Sequence, residues 1–162
     1  MILVALGSNR DGPWGSPLEA VTRALRKLNT GGLKLKRASS LVQSSPFGRA
    51  GQPDFVNAVA EIETALPPQV LMQRLHLIER MAGRRRALRW GPRTLDLDLL
   101  DYHGQIRRKP RQPVLPHPGM PARIFVLAPI MEIAPRWRHP QTRRTARIML
   151  GKLDPHGQGA LL

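Results

Sequence analysis

Two aspartates one residue apart, Asp96 and Asp98, interrupt an otherwise apolar run in "RWGPRTLDLDLL" (89–100). The alternation is that of a strand, whose side-chain period of two sends both carboxylates to one face with Cα atoms roughly 6.5 to 7 Å apart. Leu95, Leu97 and Leu99 face the other way and can anchor the strand in a core. Two acids are thereby held close together on a rigid element, as a metal site requires. Just upstream, "GRRRALRWGPR" sets Arg84, Arg85, Arg86, Arg89 and Arg93 between a helix end and that strand. Arg93 stands three residues from Asp96.

Carboxylate pairs of this kind suit Mg²⁺, a hard ion that commonly binds through one or two carboxylates plus substrate phosphates. Arginines folded over such a pair would complete the neutralisation of a polyphosphate. A plainer role exists for a D-x-D pair, simple ion pairing with nearby arginines, and for the arginine run, a solvated basic loop. No G-x-x-x-x-G-K-[ST] occurs, so a P-loop is excluded and a nucleotide would need another cradle.

Composition is compatible with that chemistry. The chain has 162 residues, 41% of them apolar, and a net charge of +15, which points to an anionic partner: nucleic acid, an acidic membrane surface or phosphorylated small molecules. It has no cysteine, no secretory signal pattern and no apolar run long enough to span a membrane. A soluble, cytoplasmic protein of one domain (1–162) is expected.

The elements that must position the acids follow from periodicity. "MILVALGSN" reads as a buried strand running into a loop. Ser16, Pro17 and Glu19 form a helix start, and Leu18, Val21, Leu25 and Leu28 form its apolar stripe before Gly31-Gly32. A strand lies within "LKLKRASSLVQ" and the loop "SSPFGRAGQP" follows. "DFVNAVAEIE" (54–63) alternates, with Val56, Ala58, Ala60 and Ile62 on one face and Phe55, Asn57 and Val59 on the other. A helix after Pro67-Pro68 carries Leu71, Leu75 and Ile78 in register and ends near Gly83, with Glu79 set to meet an arginine. "DYHGQI" reads as a turn into a further short strand, 121–131 as a short helix, and 136–162 as a basic C-terminal segment of uncertain role. The order β-α-β-β-α-β predicts an α+β, ferredoxin-like sandwich with a mostly antiparallel sheet and flanking helices.

The stretch "RWGPRTLDLDLL" resembles the signature of the 6-hydroxymethyl-7,8-dihydropterin pyrophosphokinases, folate-pathway enzymes that transfer a diphosphoryl group from ATP. "LGSN" (6–9), "SSPFG" (44–48), "QPDFVNAV" (52–59), "LPHP" (115–118) and "RIFVLAPIMEIAP" (123–135) resemble further family blocks, in order. The resemblance implies transfer to the pterin hydroxymethyl group, with AMP as the other product and ATP as co-substrate. It implies two Mg²⁺ ions on Asp96 and Asp98, and nucleotide contacts from Arg84, Arg86, Arg93, His117 and Arg123. Arg84, Arg93 and Trp90 would serve catalysis, with Trp90 in a loop beside both substrates. The pterin would lie between Phe55 and Phe125, bonded to Asn57 and to backbone near Ser44, Ser45, Pro46 and Phe47.

Plainer roles are available: Phe55 and Phe125 as core aromatics, His117 as a loop-ordering residue, Asn57 as part of a bulge, Trp90 as a loop anchor. Two departures stand out. Phe55 occupies a position where the family often has tyrosine, and Gly119 one where a basic residue is common. The rival reading is a basic nucleic-acid binder using the arginine loop and "RWRHPQTRRTAR" (136–147). Aromatics make up only 4% of the chain and neither an RNP-like segment nor a zinc-finger spacing occurs, so nucleic-acid binding is expected to be secondary at most. A monomer is expected.

Overall fold

The computed structural model describes residues 1–45, 51–84 and 93–153 and the backbone of 160–161. Pro46, Phe47, Arg86 and Trp90 lie outside the described residues. The opening run becomes strand β1 (Ile2–Ser8), buried at every position except Ala5, which is half-buried. It is apolar up to Gly7 because both its edges and both its faces are covered. On one edge it pairs antiparallel with β4 (Phe55–Thr64), and on the other with β5 (Asp96–Tyr102).

The expected strand in "LKLKRASSLVQ" is split into β2 (Leu33–Ala38) and β3 (Val42–Ser44), which pair with successive parts of β4. Serines make the break. The Ser39 hydroxyl accepts the Val59 N–H at 2.9 Å, and Ser40 turns its N–H and hydroxyl onto Glu132 at 3.0 and 2.7 Å. A short C-terminal strand, β6 (Ala160–Leu161), pairs with β3. The resulting order β5-β1-β4-β3-β6, with β2 also on β4, is the predicted antiparallel α+β sheet.

Helices α1 (Pro17–Lys27) and α2 (Pro68–Met81) cover one face. Ser16 caps α1 by accepting the Glu19 N–H, as expected. The stripe of α1 is rotated from the predicted one: Ala20, Val21, Ala24 and Leu28 are buried while Leu18 is exposed. Alanines at the contact let the helix approach the sheet closely. Leu71, Leu75 and Ile78 of α2 are buried as predicted, over Leu95, Leu97 and Leu99.

The other face is covered by α3 (Ile124–Ile133) and the segment after it, which includes α4 (Ala146–Leu150). Leu3, Val59 and Leu100 meet Val126, Leu127, Ile130, Trp137, Ala146 and Met149 there. The C-terminal segment, whose role the sequence left uncertain, is thus part of the second core, and its cations project outward. A bulge between β1 and β5 at Leu3/Val4 puts Asp101 opposite Leu3, on the same face as Leu100. Asp101 there accepts the Trp137 indole N–H at 2.7 Å and the Gly104 N–H at 2.9 Å. The short strand expected after "DYHGQI" does not form. His103 and Gly104 turn the chain, and the following loop makes only an isolated bridge between Arg107 and Leu115.

Candidate active site

A cavity of about 270 Å³ opens on the α3 side of the sheet, where the ends of β1, β4 and β5 lie side by side. Its lining includes Ser44, Ser45, Phe55, Asn57, Arg93, Asp96, Asp98, His117, Arg123 and Phe125. The structure therefore brings together, from five separate segments, all but one of the described residues predicted from sequence. Arg84 is the exception: it does not line the cavity but reaches Asp96 from behind.

Register explains the convergence. Gly7 of β1 stands opposite Asn57 on one side and opposite Asp96 on the other. A Cβ on Gly7 would lie 3.0 Å from Asn57 Oδ1 and 3.5 Å from the Phe55 ring, so glycine at the end of "LGS" leaves the floor open. Asn57 is buried and donates to the Ser44 hydroxyl at 2.7 Å, which fixes its amide across the β3–β4 ladder.

The two carboxylates are partnered differently. Asp96 accepts from Arg84 at 2.6 Å through Oδ1 and from Arg93 at 3.0 Å through Oδ2. Arg84 also binds Glu79, whose carboxylate accepts the Leu97 N–H at 2.8 Å. Glu79 on α2 thus closes the open edge of β5, which is why an acid is buried there. Although burial works against its charge, Asp96 and Glu79 together hold the Arg84 guanidinium above its ordinary value. The sequence marked Glu79 only as a candidate arginine partner; its second role follows from β5 being an edge strand, which spacing alone does not reveal.

Asp98 has weaker support. Burial, reinforced by the Asp96 charge and only partly offset by Arg123, pushes its carboxyl up to about 7. His117 Nε2 lies 3.8 Å from Asp98 Oδ1. Burial and then Arg123 push the His117 ring down to about 4, so the histidine is neutral and this approach is not an ion pair at pH 7. His117 Nδ1 accepts the Gly119 N–H at 3.1 Å, which assigns the ring proton to Nε2, facing the site. Arg123 lies 5.9 Å from the Phe125 ring centroid, in cation–π range. Gly119 makes room for it, since a Cβ there would stand 2.9 Å from the guanidinium carbon.

These donors fit a hard cation. Two carboxylates face one cavity, one of them short of positive charge, with arginine and histidine side chains beside them. Among the described residues no cluster of three or more His, Cys, Asp or Glu is placed to hold a metal ion.

A model of the 7,8-dihydro-6-hydroxymethylpterin-pyrophosphokinase family matches residues 3–135. The chain belongs to this family. It is 43% identical over 148 residues to the 2-amino-4-hydroxy-6-hydroxymethyldihydropteridine pyrophosphokinase of Pseudomonas aeruginosa, covering 91% of this chain and 89% of that protein. The enzyme of the same name from Haemophilus influenzae is 45% identical over 131 residues (81% and 79% covered), and that from Synechocystis sp. 37% over 153 (94% and 75%). As a pyrophosphokinase of this family, the protein is an ATP-dependent transferase of folate biosynthesis. It moves a diphosphoryl group from ATP to the hydroxymethyl group of 6-hydroxymethyl-7,8-dihydropterin, leaving AMP.

Proposed function

We propose that the cavity is where this transfer occurs, with the pterin and the triphosphate meeting above Asp96 and Asp98. The observation that carries the reading is that both carboxylates open into the same cavity as Phe55 and Asn57. The pterin ring stacks between Phe55 and Phe125 and takes hydrogen bonds from the Asn57 amide and from Ser44–Ser45. Pro46 and Phe47, outside the described residues, would extend that contact. ATP lies with its phosphates toward Arg84, Arg93, His117 and Arg123, and Arg86 and Trp90 approach from the arginine loop.

Asp96 and Asp98 are the ligands for two Mg²⁺ ions. Bound there, Mg²⁺ supplies positive charge that stabilises the transferring group. The substrate hydroxyl attacks the β-phosphorus and yields its proton to solvent, while the bond from that phosphorus to the oxygen it shares with the α-phosphate breaks and AMP departs on that oxygen. Among the residues assigned here none is an evident general base. Positioning and electrostatics carry such a reaction, and Arg84 and Arg93, which hold Asp96, stand where they would donate hydrogen bonds to phosphate oxygens.

ATP as co-substrate supports a cytoplasmic setting. No described helix is long and apolar enough to cross a membrane. Residues 136–162 belong with the rest of the chain in one domain. Exposed Arg136, Arg138, Arg143, Arg144, Arg147 and Lys152 support weak, salt-dependent contact with nucleic acid as a secondary property.

Incubation with ATP, Mg²⁺ and hydroxymethyl-dihydropterin, followed by phosphorus NMR, tests the chemistry. AMP and a pterin diphosphate are expected. ADP with a pterin monophosphate would overturn attack at the β-phosphorus.

A further inference from the structure

β1 pairs with both site-bearing strands as far as Gly7, and its last rung is Ser8 with Val56. Beyond it one flanking chain is the segment leading into Phe55 and the other the segment leading into Asp96. Asn9 follows, 1% exposed and not part of the cavity lining.

Its side chain continues what the ladders stop doing. Asn9 Oδ1 accepts the Arg93 N–H at 2.8 Å while the Asn9 N–H donates to the Arg93 carbonyl at 3.0 Å, so Asn9 holds both polar groups of the Arg93 backbone. On the opposite edge Asn9 Nδ2 donates to the Pro53 carbonyl at 3.0 Å and to Gln52 Oε1 at 3.3 Å. The neighbouring Ser8 hydroxyl donates to the Thr94 carbonyl at 2.8 Å, and Pro13 packs where a side chain on Gly83 would stand, so the same turn also touches the start of the arginine loop.

We propose that Asn9 is a positioning residue that couples the two substrate subsites, its planar amide tying the segment before Phe55 to the segment that carries Arg93. Oδ1 and Nδ2 belong to one rigid plane about 2.3 Å across. A shift of Pro53 tilts that plane and strains the bond to Arg93, and the reverse holds equally. Ligand binding that settles one segment therefore settles the other, and the thermodynamic effect is reciprocal. Asn9 touches neither reacting group. Its contribution is that each substrate binds more tightly when the other is present.

The inference rests on the assignment of pterin to the Phe55 side and nucleotide to the Arg93 side. Calorimetry with a Mg²⁺-bound non-hydrolysable ATP analogue, with and without hydroxymethyl-dihydropterin, reads the coupling directly. In the native chain the analogue should bind about fivefold or more tightly with pterin present. In Asn9→Ala that ratio should fall toward one, with each ligand alone still bound. Asn9→Asp keeps the acceptor for the Arg93 N–H and removes the donor to Pro53. It should lose the ratio while binding the analogue alone as the native chain does, and it decides the matter if the alanine variant does not fold. Trp137→Phe, which removes the bond to Asp101 on the far side of the sheet, should lower the melting temperature and leave the ratio intact.

An unchanged ratio in a folded Asn9 variant, or a native ratio of one, overturns the proposal. Failure of the native chain to bind either ligand would overturn the site assignment instead.

Discussion

Asp98→Asn removes a charge that the metal-free fold carries at a cost. With its carboxyl pushed up to about 7 from an ordinary 3.8, the folded chain holds this proton more firmly than the unfolded chain does. The sign follows: rising pH between about 4 and 7 deprotonates the unfolded state first and so lowers stability. A shift of about three units corresponds to about 4 kcal/mol lost by pH 8 from this group alone. Chelator-treated native protein should therefore lose denaturant resistance from pH 5 to pH 8, and Asp98→Asn should lose about 2 to 3 kcal/mol less over that interval.

Cation binding should run the other way, because the ion competes with the proton. For a group titrating near 7, the ionised fraction rises about tenfold between pH 6 and pH 8, and Mg²⁺-dependent binding of an ATP analogue should tighten by about that factor. Asn at 98 should bind weakly and show no such dependence beyond that of the nucleotide's own phosphate, which the comparison of the two proteins removes. Parallel pH profiles for native and variant, in stability and in Mg²⁺ affinity, would refute the account of Asp98.

Three other substitutions separate roles. Glu79→Ala leaves the Leu97 N–H without its acceptor and Arg84 with a single carboxylate, so the urea midpoint should fall by an amount worth about 3 kcal/mol, and turnover with it; an unchanged midpoint would mean that β5 does not need this closure. Phe55→Ala should raise the pterin KM, by about tenfold or more from lost stacking and burial, with the KM for ATP nearly unchanged in initial-rate assays. Gly119→Ala meets only the far end of Arg123. Its melting temperature should stay close to native while the KM for ATP rises about threefold to tenfold, and a native KM would count against the proposed contact of Arg123 with the phosphates or show that it accommodates the methyl group.

What could be read from the sequence was whatever depended on local period. The alternation of β4 and β5, the apolar rows of α2 and the convergence of Asp96 with Asp98 all follow from spacing, and the structure has them where expected. The break between β2 and β3 was hidden because Ser39 and Ser40 act through partners twenty and ninety-two residues away, Val59 and Glu132. Trp137 was hidden among arginines, its partner Asp101 turned toward it only by a bulge. Asn9 and Glu79 are likewise defined by which strand stands at a centre or an edge, a property of topology that no window of residues contains.

The central place of β1 has a kinetic side. Ile2 pairs with Tyr102 across a loop of 100 residues, whereas β4 returns to β1 with Ile62 opposite Ile2. Contacts of such wide sequence separation form late and slow a fold down. A chain emerging from its N-terminus can assemble β1, α1 and β4, but the strand bearing both acids joins only afterwards, and the second core waits further for Trp137 and Met149. On that order the half of the site that holds Phe55 and Asn57 is completed before the half that holds Asp96 and Asp98, and the two acids come together only on a sheet already begun.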